Sequence, residues 1–162
     1  MKKVLFIIAT VFTIGFFTGC DDGDESIPET EVTGNYLIHN GETFPLTKAF
    51  VATFTDTVKK KFILQLGGEE MIFDGDDLAG DGEGVTVFAD GDFTIGTFTI
   101  KDDSWALSNW VSNPNGPGSG NSSSLEGGSI KVISATNPIE VEISGTNTEA
   151  YYKGEATIVS WN

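Results

Sequence analysis

Apolar and polar residues alternate along much of the chain after residue 35, as expected of β-strands that turn one face toward a core. Residues 50–55 and 61–66 alternate most clearly, and Phe50, Ala52 and Phe54 fall on one face of the first segment. Asn40-Gly41 stands between the segments 36–39 (YLIH) and 42–44 (ETF) and supplies the pair of positive-φ residues that a type I′ hairpin turn requires. No segment after residue 20 repeats its apolar residues every 3.6 positions, so the sequence predicts strands there.

Further strand candidates follow, separated by turn residues. They are residues 71–73, 85–89, 93–100, 105–111, 129–134, 139–144 and 151–161. About ten strands of this kind predict an all-β fold, and we favour an antiparallel β-sandwich of two sheets over the alternative of an up-and-down or lipocalin-like β-barrel. Gly154 inside the last candidate indicates a bulge or a bend.

Residues 34–162 have the length of a single domain. Within them, residues 113–124 (NPNGPGSGNSSS) are nearly free of apolar side chains and are predicted to form a flexible loop. The 38 residues after this loop are too few for a second stable domain without disulfides or a metal. We therefore predict one all-β domain with an inserted loop.

The first twenty residues carry the pattern of an export signal. Lys2 and Lys3 precede a 14-residue apolar stretch from residue 4 to residue 17, and Cys20, the only cysteine, follows two small residues. The stretch is shorter than the roughly 20 apolar residues of a transmembrane helix. Residues 1–19 are therefore predicted to be a signal peptide. The alternative, cleavage without lipid attachment, would leave a reactive exposed thiol.

The segment Phe17-Thr18-Gly19-Cys20 resembles the lipobox of bacterial lipoproteins. This resemblance implies that the Cys20 thiol takes a diacylglyceryl group, that the peptide is cut before it, and that the new amino terminus is acylated. The acidic residues 21–25 (DDGDE) resemble the export signal of surface lipoproteins in Bacteroidetes-type bacteria. They imply an anchor in the outer membrane with the domain on the cell surface, and a domain facing the periplasm is the alternative.

The domain is also similar to the small β-rich lipoproteins of such bacteria. The similar segments are residues 96–100 (GTFTI), 127–132 (GGSIKV) and 152–155 (YKGE). Because these families are largely uncharacterised, the resemblance implies a fold and a location but no catalytic residue.

The charge of the chain excludes one class of partner. The formal net charge is −15, and removal of residues 1–19 would take away two lysines and no acid, giving −17. Nucleic-acid binding needs clustered positive charge, and the one cluster is Lys59-Lys60-Lys61 beside a predicted turn. We therefore predict no nucleic-acid partner.

Residues 20–33, with six acids, are predicted to be the acylated cysteine and an extended acidic tether.

Residues 69–92 hold nine acids and no base. Among them Asp74, Asp76, Asp77 and Asp81 are candidate calcium ligands, because calcium prefers several oxygen ligands and glycines let a loop wrap around it. Their spacing does not match an EF-hand loop, and a solvated acidic turn is the alternative. No other cofactor is predicted, since one histidine and one cysteine cannot build a usual zinc site.

Two tryptophans are candidates for a ligand-binding platform. Trp105 and Trp110 could stack on a sugar, but a separation of five residues puts them on opposite faces of a continuous strand, so at least one is expected in the core. His39, at a strand end beside a tight turn, is expected to be an ordinary surface residue.

These observations predict an exported, lipid-anchored, non-enzymatic protein that binds a glycan or supports an outer-membrane protein partner. Two alternatives stay open. One is a small glycan hydrolase that uses a pair of carboxylates, and the other is a calcium-stabilised structural module. No catalytic residue is predicted.

Overall fold

Strands form where the sequence alternates, and they also form in several segments where it does not. The computed structural model describes residues 33–55, 60–74, 77–113 and 118–161, and fourteen strands lie in these ranges. They are β1 (Tyr36–His39), β2 (Glu42–Pro45), β3 (Lys48–Thr55), β4 (Lys60–Gly67), β5 (Met71–Asp74), β6 (Asp77–Gly80), β7 (Gly82–Asp90), β8 (Gly96–Thr99), β9 (Trp105–Val111), β10 (Ser119–Ser124), β11 (Ser129–Ser134), β12 (Ile139–Gly145), β13 (Thr148–Gly154) and β14 (Thr157–Trp161).

The strands form two six-stranded sheets and one separate hairpin. Sheet I has the order β2-β1-β13-β12-β11-β8, and its neighbouring strands are all antiparallel. Sheet II has the order β10-β9-β7-β4-β3-β14, and here β14 pairs with β3 in parallel, which was not predicted from the sequence. Strands β5 and β6 pair only with each other.

The two large sheets pack together around one apolar core. Ile139, Val141 and Ile143 of β12 are buried in it, while Glu142 between them is exposed, as the alternation predicted. Sheet II contributes side chains such as Phe62 to the same core. Burial of a side chain of this size stabilises a fold by about 1.5–3 kcal/mol. In each sheet the residues between the core positions point to an outer face, away from the other sheet.

The predicted all-β sandwich of two sheets is confirmed. The barrel alternative is wrong, because each sheet ends in two edge strands, β2 and β8 in sheet I and β10 and β14 in sheet II. The predicted hairpin turn is also present. Asn40 and Gly41 have φ values of 54° and 84°, and β1 pairs with β2 across them.

Two segments differ most from the prediction. The supposed flexible loop 113–124 contains β10, a serine-rich strand without apolar alternation that pairs with β9. Backbone hydrogen bonds to β9 hold this strand in place, and such bonds do not require alternating apolar side chains. The predicted strand 151–161 is divided at Gly154, where β13 ends, and β14 begins at Thr157.

Residues 32–162 form one compact unit. The predicted signal peptide, Cys20, nearly all of the tether, and Asp76 lie outside the described residues. In the described part, no helix is long and apolar enough to span a membrane.

Candidate functional site

A bulge in β9 brings both candidate tryptophans to the outer face of sheet II. Ser108 points inward, toward sheet I. Asn109 follows with a φ of 51°, and the registers of β9 with β7 and with β10 both shift near this residue. One extra residue reverses which side chains face outward. Trp110 therefore lies on the same face as Trp105, and the prediction of opposite faces is wrong.

The two tryptophans, both half-buried, pack around the buried side chains of Leu107 and Met71 together with Phe73. Met71 and Phe73 belong to the β5–β6 hairpin, so this hairpin lies against the outer face of sheet II. The ring of Phe73 also lies 5.7 Å from the ring of Phe50 in β3, centroid to centroid. We call the surface formed by Phe50, Phe73, Trp105 and Trp110 the aromatic face.

Two glycines beside β9 allow this arrangement. A Cβ atom on Gly118 would lie 2.5 Å from the Trp110 ring, so the ring packs directly on the Gly118 backbone. A Cβ atom on Gly120 would lie 2.7 Å from the Asn109 carbonyl oxygen and from the Trp110 Cα. The segment predicted as a flexible loop therefore shapes the aromatic face.

Two buried polar side chains lie in the middle of this outer face. In the strand register, Gln65 of β4 is opposite Phe50 on one side and Thr86 on the other. Thr86 of β7 is in turn opposite Trp105. Gln65 and Thr86 are each 0% exposed, and neither the Gln65 amide nor the Thr86 hydroxyl has a hydrogen-bond partner in the described part of the chain. Leaving a buried polar group unpaired costs about 1–3 kcal/mol.

Gln65 and Thr86 were not among the site residues predicted from the sequence. Their one local sign was a polar residue within each apolar run, in residues 61–66 and 85–89. A polar residue at such a position is also what a solvent-exposed outer face would show, so the pattern alone did not reveal the burial.

Acidic groups lie at the start of the β5–β6 hairpin. The Glu83 carboxylate sits close to Gly68, where an added Cβ would be 2.5 Å from Glu83 Oε1. Burial, and then the charge of Glu70, raise the pKa of Glu83. The nearby cation Lys48 donates hydrogen bonds to the carbonyl oxygens of Glu69 and Met71, so its ammonium is held by the backbone.

The candidate calcium ligands are distributed as follows. Asp81 accepts two hydrogen bonds of 2.7 Å from Ser112, one from its backbone N–H and one from its hydroxyl, and these bonds lower the pKa of Asp81. Asp74 pairs with Asp77 in the hairpin register. The described residues contain no group of three or more acidic, histidine or cysteine side chains that could hold a metal ion. Calcium binding therefore stays a hypothesis, with a solvated acidic turn as its alternative.

His39 is 0% exposed, so its assignment as a surface residue is wrong. Its Nδ1 lies 2.9 Å from Ser108 Oγ and its Nε2 lies 2.8 Å from Ser123 Oγ. The Asn40 amide nitrogen, which can only donate, lies 3.2 Å from the same Nε2. Nε2 is therefore the acceptor and Nδ1 carries the proton. Because β1 belongs to sheet I and Ser108 and Ser123 to sheet II, His39 joins the two sheets.

The fold and this face define an all-β sandwich with an aromatic outer surface on one sheet. No protein-family model matches the chain, and no match was found among curated proteins or solved structures.

Proposed function

We propose that this chain is an exported, lipid-anchored, non-enzymatic protein that binds a glycan outside the cell through its aromatic face. The observation that carries the proposal is the placement of Trp105 and Trp110 on one face by the β9 bulge. The faces of aromatic rings carry partial negative charge and attract the C–H groups of a sugar ring. Ligand sites combine such rings with a few polar groups.

The anchor follows from the resemblance of the amino-terminal segment to a lipobox. Lipid on Cys20 would hold the protein firmly, because two or more acyl chains bind a membrane far more tightly than one. About a dozen extended residues of the acidic tether span roughly 40 Å. The domain would then stand clear of the outer membrane, where a glycan can reach the aromatic face.

Retention on polysaccharides tests the proposal. The full chain, purified with its lipid in detergent micelles, is applied to a panel of immobilised polysaccharides. We expect Trp105→Ala and Trp110→Ala each to lower retention at least tenfold, about 1.4 kcal/mol of binding free energy. Thermal unfolding of each variant shows whether it still folds.

The matched control is Trp161→Ala. Trp161 lies in β14, at the other edge of sheet II, is 38% exposed, and packs edge-on against Phe54 at 4.8 Å. We expect this variant to retain the wild-type affinity. Equal loss in all three variants would indicate general apolar adhesion. Retention that neither Trp105→Ala nor Trp110→Ala reduces would contradict the proposal, as would no retention by the wild type.

A further inference from the structure

Four side chains form a continuous row across the outer face of sheet II. Phe50, Gln65, Thr86 and Trp105 occupy opposing register positions on β3, β4, β7 and β9. With neighbouring strands about 4.8 Å apart, the row is about 14 Å long. Two aromatic rings thus flank two polar groups, and all four belong to paired strands rather than to loops.

The polar pair has hydrogen-bonding capacity that the described part of the chain does not use. The Gln65 amide offers two donor hydrogens and one carbonyl acceptor, and the Thr86 hydroxyl can donate and accept. Among the described residues, none pairs with the buried carbonyl, amide or hydroxyl group of Gln65 and Thr86. Buried polar groups in native proteins are nearly always paired, and each exception calls for an explanation. Apolar residues of similar size would satisfy the packing here and would remove the unpaired groups.

A bound ligand with hydroxyl or amide groups would explain the pair. An apolar ligand would leave both groups unpaired, whereas a sugar presents C–H groups to the rings and polar groups to the pair. Because Gln65 and Thr86 are buried, a ligand reaches them only if the half-buried rings of Phe50 and Trp105 rotate, a side-chain change of the kind common at binding interfaces.

The acidic residues beside the row disfavour anionic ligands. Glu70 and Glu83 lie at the start of the hairpin that borders the row, and the charge of Glu70 acts on Glu83. The nearby Lys48 is engaged by backbone carbonyl oxygens. The chain as a whole carries a formal charge of −15. A ligand with carboxylate or sulfate groups would meet repulsion at this face, because like charges oppose association.

We infer that Gln65 and Thr86 determine the specificity of the aromatic face by hydrogen-bonding to a neutral glycan, while the acidic residues beside the row disfavour anionic ones. This inference rests on the proposed function. It adds two residues that the aromatic platform alone does not require, and it names the class of glycan.

Isosteric variants test the inference. Gln65→Met and Thr86→Val keep the shape of each side chain and remove its polar group. Each variant is made in the full chain and assayed on immobilised neutral polysaccharides and on polymers rich in uronate or sulfate. We expect wild-type retention on a neutral polymer to exceed that on anionic ones at least tenfold. We expect the retention of each variant on the neutral polymer to fall at least fivefold, while its melting temperature is unchanged or raised.

Thr97→Val is the matched control, because Thr97 is an exposed threonine on β8 of sheet I. It should change neither retention nor melting temperature.

The outcomes separate the two proposals. If the wild type binds in a tryptophan-dependent way but Gln65→Met and Thr86→Val bind equally well, the specificity role is overturned and the glycan-binding function stands. Equal retention of neutral and anionic polymers by the wild type would likewise overturn the specificity role alone. A clear drop in the melting temperature of either variant would show that the polar group has a structural partner, which also overturns the inference. Failure of the wild type to bind any polysaccharide overturns the proposed function itself.

Discussion

Acidification should weaken the contact between the two sheets through His39. The ring is buried, and the orientation of Asn40 requires Nε2 to accept hydrogen bonds. A second proton on the ring would sit at Nε2, facing the amide donor of Asn40, and the Ser123 hydroxyl could then no longer donate to that nitrogen. Burial lowers the pKa of His39 below its ordinary value of 6.5. The neutral ring is therefore the form that the folded protein stabilises.

The lowered pKa of His39 sets the sign of the pH effect on stability. The unfolded chain binds a proton at His39 as the pH falls through about 6.5, while the folded protein takes it up only at lower pH. The stabilisation by the neutral ring is thus fully present above pH 6.5 and is lost as the pH falls through the folded pKa. A single proton limits the slope to about 1.4 kcal/mol per pH unit.

The assay is urea unfolding, followed by tryptophan fluorescence, at pH values between 5 and 7.5. His39→Gln is the reference, because the chain has no other histidine. Carboxylates contribute to both proteins, so the difference between the two curves reports His39. At pH 7 we expect the variant to be about 1–3 kcal/mol less stable, since Ser108 loses its partner inside the sandwich. We expect the difference to shrink toward pH 5. A difference independent of pH over this range would refute the reasoning, as would one that grows on acidification.

Three further predictions concern other parts of the chain. Gly120→Ala should lower the free energy of unfolding by about 2 kcal/mol in urea titrations and weaken polysaccharide retention, because its methyl group would collide with the β9 bulge. An unchanged transition midpoint would show that the bulge is not tightly held. Cys20→Ser should abolish incorporation of labelled palmitate. Protease added to intact cells should remove the wild-type domain, and full protection of the domain would argue for the periplasmic location. Millimolar calcium should leave the melting temperature unchanged, because Asp81 Oδ1 already accepts two hydrogen bonds from Ser112 and the described residues contain no group of three possible metal ligands. A rise that EDTA reverses would support the calcium site.

The sequence was informative where structure depends on neighbouring residues. Strict alternation identified β3 and β4, and it indicated the correct buried face of β12. Asn40-Gly41 identified the first turn, because few residue pairs adopt two positive φ values without strain. Each of these features depends only on residues that are close together in the sequence.

The candidate site depends on distant strands, and the sequence showed little of it. Trp105 and Trp110 were recognised, but their relative orientation depends on Asn109, whose left-handed conformation carries no unique signal in a strand. Asparagine within β9, together with Gly120 on its neighbour, was the available hint. The burial of Gln65 and of His39 arises from packing against other elements, which periodicity along one strand cannot report.

The parallel pairing of β14 with β3 constrains the order in which the domain can assemble. Thr53 and Ser160, which share a hydrogen bond across this pair, are 107 residues apart in the chain. Contacts between such distant residues form slowly, because a long loop must close before they contribute stability. Sheet II therefore keeps an open edge along β3 until residues 157–161 arrive. For a chain that crosses a membrane unfolded, the edge of β3 would stay unpaired for as long as residues 157–161 remain on the other side.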